Sequence, residues 1–460
     1  MFIKKPKWNK VILLFFLIIA TVFAGLSSAH FVNTQTYVDT SIFNENLRIS
    51  ATYNTTLSIN DMPSSLYNWT WAKNQGYCTG AGILSNPYVI QNHIFNVSLN
   101  TCIEIFNSRK YFIIRNCDLT TNGISPGILL QNTTNGVLRD NVISNCFYGI
   151  ELVSSNENSI LFNTIEDCSD GIYLHISSVF NTISYNIVNY NSDDGIYIAG
   201  TCHNNTISYN IVKNNLDEGI YSPNSDDMTF SYNTVYNNTG FGIYLTGILD
   251  SVISSNIVSY QRESGIIINN GDNCIIENNY VHHNGIHGIY LTSGCQNNII
   301  KSNKANYNNN SGFFLYNSND NLITKNEANF NKDHGILLYL CDNHVISDNV
   351  INNNEIYGVY LLGSNDNVIS YNLANFNNHG VYLDTSNNNF ILYNNLASNI
   401  VCYNETGSTG NIFEGNICIA VAPPMDRFIL GLIIGLITAG GAFGSALATT
   451  LFLRKRERKK

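Results

Sequence analysis

Three carboxylates occupy one register of a repeating chain: Asp170, Asp194 and Glu218 stand directly before Gly171, Gly195 and Gly219. Asp193 and Asp217 adjoin them. Like charges held a few ångströms apart repel unless they are solvated, protonated or bridged by a cation. The cluster can therefore be solvated turn residues, ligands for Ca²⁺, acceptors for sugar hydroxyls, or a paired-carboxylate catalyst. Beside it run Tyr173, Tyr197, Tyr221 and Tyr244, one per repeat. Rings bordered by carboxylates suit a sugar-binding groove in which aromatic faces pack on pyranoses; equally, stacked tyrosines stabilise a sheet through neighbour contacts. A second constellation is His282, His283 and His287, which share one turn and form a candidate copper site. His334 and His379 fall in the column of His287 but two repeats apart, about 9.6 Å, too far to co-ligate. With four methionines, the chain has no Met-rich copper(I) surface.

The positions of these residues follow from a repeat of 22 to 24 residues, marked by Gly-Ile-Tyr-Leu at Gly171, Gly242 and Gly288. A period of this size signals a solenoid whose units bury their apolar faces by stacking. After each glycine, positions one and three are aliphatic, as in Ile172 and Leu174 or Ile196 and Ile198, and the position between them carries the tyrosines. Alternation with period two puts the aliphatic columns inside and the tyrosines outside. Asparagines keep the same time at Asn141, Asn163, Asn186, Asn210, Asn233 and onward to Asn416, with a second series five residues later. Asparagine tolerates left-handed backbone and suits tight bends, and stacked amides can bond from one repeat to the next. No helical period is sustained, and Asn-rich, β-branched segments form helices poorly. The pattern predicts an all-β, parallel β-helix of about 13–14 coils, each rising about 4.8 Å.

The run NVISNCFYGIELVSSNENSILFNTIEDCSDGIYL, residues 141–174, resembles the right-handed β-helix repeats of pectate-lyase-like proteins, of carbohydrate-binding and sugar-hydrolase domains, and of NosD-like proteins of copper-enzyme maturation. GAGILSNPYVIQNHIF, residues 80–95, is similar to the first coil of NosD-like surface proteins. The resemblance spans roughly residues 81–420 and implies the fold more strongly than any activity, because such repeats serve enzymes, binders and structural proteins alike. Lyases of this kind need a basic side chain beside the carboxylates, and here Lys213 alone is near in sequence. The Gly-His-Gly element of polygalacturonase-like hydrolases is missing at His287, His334 and His379.

Composition places this repeat outside the cell. Lys4, Lys5, Lys7 and Lys10 precede an apolar run from Val11 to Ala24, which reads as a signal peptide over residues 1–29. An N-terminal cap region, 30–80, breaks the repeat and holds Trp69 and Trp71; the β-helix is expected over 81–422. A linker at 423–427 contains Pro423-Pro424. The uncharged run 428–453 is long enough for a transmembrane helix, and the basic tail 454–460 marks its cytoplasmic end. Over residues 30–425, 31 Asp+Glu face 12 Lys+Arg, which excludes a basic nucleic-acid-binding surface. Eight Asn-x-Ser/Thr sequons, at Asn54, Asn68, Asn96, Asn132, Asn204, Asn237, Asn309 and Asn404, suit an exported glycoprotein. None of the eleven cysteines forms a CxxC pair; Cys146 and Cys168 share a register in adjacent repeats, so they form a disulfide or fill the asparagine column as two buried thiols.

The expected molecule is a cell-surface β-helix held by its C-terminal membrane helix, binding an extracellular polysaccharide or glycoprotein or serving as a structural spacer. A carbohydrate-active lyase, epimerase or hydrolase working at Asp170, Asp194 and Glu218 is the alternative. A copper-handling protein using the histidine turn is the second.

Overall fold

In the computed structural model, which describes residues 51–419, the chain winds into a parallel β-solenoid. Each coil gives one short strand to each of two sheets and a strand or a single bridge to a third, and the strands pair in parallel with their equivalents in neighbouring coils. One sheet has 15 strands, from Leu57–Asn60 to Val401–Thr406, and carries the tyrosines. A second, also of 15, runs from Tyr88–Gln91 to Ile412–Glu414. A narrow third runs from Ala51–Tyr53 to Lys304–Asn306 in 11 strands and continues as single bridges through Glu327, Val350, Leu373 and Asn395 to Ile417. The solenoid has about 14 turns, as expected, but its strands begin at Ala51 and Leu57, inside the segment read as a cap. That first coil lacks the glycine signature, and the excursion through residues 61–87 interrupts its period. The excursion holds a short helix, Trp69–Asn74, whose N-cap Asn68 accepts from the Trp71 N–H. Its Trp69 is buried against Tyr88, ring centroids 4.7 Å apart, and donates to Ser108 Oγ.

The signal segment 1–29, linker 423–427, apolar span 428–453 and basic tail 454–460 lie outside the described residues. Among the described residues no helix is long and apolar enough to cross a membrane.

The core is the aliphatic alternation: Ile172, Leu174, Ile196, Ile198, Ile243 and Leu245 are fully buried. The glycine column marks a close approach between coils. A Cβ on Gly219 would meet Gly242 O at 2.6 Å, Val235 Cγ1 at 2.4 Å and Asn238 Nδ2 at 2.8 Å, closer than real Cβ contacts. The asparagines turn inward. Asn233 Nδ2 donates to Asn256 Oδ1 at 3.0 Å and Asn256 Nδ2 to Asn279 Oδ1 at 2.9 Å, and the column repeats this from Asn141 to Asn416. The second series forms a parallel ladder in which Gln261 fills a gap between Asn238 and Asn284. A third, not read from the sequence, includes Asn158, Asn181 and Asn205. The left-handed residue at these bends is the one before the ladder asparagine, as at Tyr185, Tyr209 and Tyr232, with φ of 61°, 59° and 57°. The amide is therefore kept for hydrogen bonding, and its neighbour carries the bend.

Candidate functional site

Asp170, Asp194 and Glu218 stack in consecutive coils at the edge of the tyrosine sheet, as the period requires. The Asp194 N–H donates to Asp170 Oδ1 at 3.1 Å, and the Glu218 N–H to Asp194 Oδ1 at 3.0 Å. Farther along the column Ser264 and His287 fill the same acceptor role, receiving the N–H of His287 and of Ser311. Neutral side chains thus suffice for the architecture, and the charge of the three acids is additional to it.

That charge is poorly solvated. Asp170 and Asp194 are each 5% exposed. Burial, opposed by the Asp194 N–H and reinforced by Asp193 and Asp217, pushes Asp170 up to about 7. Burial and then the Glu218 charge push Asp194 up to about 9, and burial with Asp217 raises Glu218 to about 7. Burial thus favours a proton kept within the Asp194–Glu218 pair. Asp193 and Asp217 are exposed, and an oxygen of each lies within 4.8 Å of the other and of Asp194. Three oxygens at that spacing fit around one Ca²⁺, whose bonds to oxygen are about 2.3–2.6 Å, with water completing the shell. Among the described residues no ion pair reaches the cluster. Lys213, the one basic residue near in sequence, lies on the narrow sheet with its ammonium 5.7 Å from the Tyr236 ring.

The tyrosines lie in register beside the acids: Tyr173 pairs with Tyr197, Tyr197 with Tyr221 and Tyr221 with Tyr244. Their ring centroids are 5.0, 5.1 and 5.0 Å apart and their planes 25°, 11° and 19° from parallel. The rings cover one another's faces, the neighbour stacking that stabilises the sheet. What the ladder offers a ligand is its hydroxyl edge. Burial, then Tyr148 and nearby carboxylates, pushes Tyr173 up to about 12; burial, then Tyr244 and Tyr197, does the same for Tyr221. The phenols thus keep their protons to donate. At one end of the row His175 Nε2 pairs with Glu151 Oε1 at 2.9 Å.

The histidine constellation divides. His282 and His283 meet, with Nδ1 atoms 2.9 Å apart. His287 belongs to the acid column on another sheet, buried against Phe314 and accepting from Ser311. Cys146 and Cys168 are free and buried, so the disulfide considered for them is replaced by the alternative of two thiols. The Cys168 thiol donates to Glu166 O and that of Cys146 to Ser144 O, each at 3.3 Å. The disulfide present joins Cys402 to Cys418. Cys402 holds the glycine position of the last described coil, where the close approach ends.

A further aromatic ladder escaped the sequence analysis. Phe162, Tyr185, Tyr209 and Tyr232 stack at a corner with centroids 4.9, 4.9 and 4.8 Å apart, all exposed. Its signal was an aromatic residue directly before Asn163, Asn186, Asn210 and Asn233.

The chain matches the family model described as Right handed beta helix region over residues 73–222, 204–343 and 317–418. Comparison with curated proteins gives no match. Among solved structures it is similar to the A-module of mannuronan C-5 epimerase AlgE6 of Azotobacter vinelandii, at 16% identity, 73% of this chain, 91% of that chain and a TM-score of 0.44. The periplasmic alginate epimerase AlgG gives 15%, 79%, 84% and 0.37. Tailspike protein 2 of bacteriophage CBA120 gives 13%, 55%, 43% and 0.39. These likenesses carry no argument about what the chain does.

Proposed function

The chain belongs to the right-handed beta helix family, and from that premise we propose that it is a cell-surface glycan-binding protein whose ligand lies along the coil axis over the tyrosine–carboxylate edge. The supporting observation is the pairing of two rows in the same coils: tyrosine rings whose centroids repeat every 5.0–5.1 Å, and carboxyls with raised pKa beside them. Sugar hydroxyls both donate and accept, and a row of phenol donors beside carboxyl acceptors answers both. Buried hydrogen-bonding groups discriminate strongly, because a ligand lacking the partner leaves them unmet. The sequence readings of export and of a membrane helix at 428–453 supply the location proposed here.

Tyr197→Phe with Tyr221→Phe keeps the stacked rings and removes two hydroxyls. In a polysaccharide panel titrated with and without Ca²⁺, this double variant is expected to bind its glycan about tenfold more weakly, at one to two hydrogen bonds. Undiminished binding would sink the reading, as would a panel with no ligand.

The enzyme reading is favoured by one observation, the contact of Asp194 with Glu218 in the next coil, where burial raises both carboxyls and so suits a proton donor beside a carboxylate. If it holds, product forms from a bound polysaccharide and Asp194→Asn abolishes turnover while binding persists.

A further inference from the structure

Outside the acidic edge, the narrow sheet brings two side-chain nitrogens unusually close. The strand Tyr280–His282 ends at His283, which makes the bend with φ 56°. The His282 ring packs on Tyr280 at 4.2 Å, and His283 is stacked between Tyr260 and Tyr307 at 5.2 and 5.1 Å. Neighbouring rings thus hold both imidazoles in place, and their Nδ1 atoms face each other at 2.9 Å. Lys304, opposite Tyr280 in register, is neutralised by Glu327 at 3.0 Å and leaves no unbalanced cation at the pair.

Two imidazole nitrogens binding one ion at about 2.0–2.1 Å and lying 2.9 Å apart subtend roughly 90° at it. A tetrahedral angle would separate them by about 3.3 Å. The observed spacing is that of adjacent corners of a tetragonal site, the preference of Cu²⁺ and Ni²⁺ over Zn²⁺. We propose that His282 and His283 chelate one tetragonal divalent transition-metal ion through their Nδ1 atoms. Water fills the remaining positions, since His283 is exposed. A proton on either Nδ1 moves to Nε2 of the same ring as the ion enters, so each neutral imidazole supplies an electron pair and none is oxidised.

The repeat itself supplies conservative variants. Ser259 takes the place of His282 one coil earlier, and Asn237 and Asn214 make the equivalent bend in earlier coils, so His282→Ser and His283→Asn should fold normally. Full-length protein without a histidine tag would be titrated calorimetrically with CuCl₂, NiCl₂ and ZnCl₂, and its Cu²⁺ form examined by electron paramagnetic resonance. The expected result is one equivalent of Cu²⁺ or Ni²⁺ bound more tightly than Zn²⁺, with hyperfine structure from two nitrogens. Each variant is expected to weaken binding at least tenfold with unchanged circular dichroism. The proposal is overturned by absence of stoichiometric binding (a hydrogen-bonded pair only), by binding that survives both substitutions, or by binding lost in Asp193→Asn instead.

Discussion

Asn256→Ala is expected to destabilise the solenoid by about 3–5 kcal/mol, because it strips partners from several buried groups at once. Asn256 Oδ1 accepts from both the backbone N–H and Nδ2 of Asn233, at 2.9 and 3.0 Å. Its Nδ2 donates to Phe230 O and to Asn279 Oδ1, both at 2.9 Å. Alanine leaves two donors of Asn233 and a contact of Phe230 unmet in a fully buried position, with no route for water. Each such group costs about 1–3 kcal/mol, which outweighs the entropy gained by freeing one side chain. In a stacked array the damage is shared chiefly with adjacent coils. Denaturant unfolding should register the loss, and hydrogen exchange should show faster opening of the coils around Phe230 and Asn279. Ser255→Ala, at the bend just before, is expected to change stability by less than about 0.5 kcal/mol. A loss below about 1 kcal/mol for Asn256→Ala would refute the ladder as a major source of stability.

At pH 8, Asp194→Asn is expected to stabilise the protein, on the order of 2 kcal/mol. Folding raises Asp170 and Glu218 to about 7 and Asp194 to about 9. The folded state therefore holds protons that the unfolded chain releases near pH 4, so stability falls as pH rises from about 4, up to about 7 for Asp170 and Glu218 and on towards 9 for Asp194. His287 and His334, pushed by burial down to about 4, act in the opposite sense. They add stability as pH rises from 4 to their ordinary 6.5 and nothing more above it, which leaves the acids to set the slope on the alkaline side. Asparagine keeps the oxygen that accepts from the Glu218 N–H and carries no charge. Melting from pH 4 to 9 should show the variant's advantage growing from near zero at the acid end to its maximum above pH 8. A variant equal to or weaker than the parent at pH 8 would mean that Asp194 is ionised in the fold, with a cation or water offsetting its burial.

The fold was legible because a coil repeats its environment. A column such as Ile172, Ile196, Ile220 and Ile243 is the same buried site met again, and each is fully buried. The acid column and the tyrosine row followed from the same arithmetic, which gives vertical neighbours without distances. Period alone does not fix rotamers, so it could not show that Tyr173, Tyr197, Tyr221 and Tyr244 turn their faces to one another. Nor could it separate His287 from His282 and His283, since the bend between them moves the chain to a different sheet. Asn163 and Phe162 were read in the wrong order of importance: asparagine is the usual left-handed residue, yet Phe162 bends, with φ 56°, because the amide of Asn163 is needed inside. Cys402–Cys418 was hidden because the last described coil departs from the glycine column that made the others readable.

The amide ladders give the molecule a quantised length. Every level offers the same acceptors to the level before it and the same donors to the one after, so an excised segment heals only if its ends fall on equivalent rungs. Removing residues 233–255 sets Asn256 where Asn233 had been, facing Asn210, whereas removing three residues misaligns all three ladders together. Such a lineage can shorten or lengthen its reach by whole turns at little cost. The shortened protein is expected to keep its β-sheet circular dichroism, and the three-residue deletion to lose it.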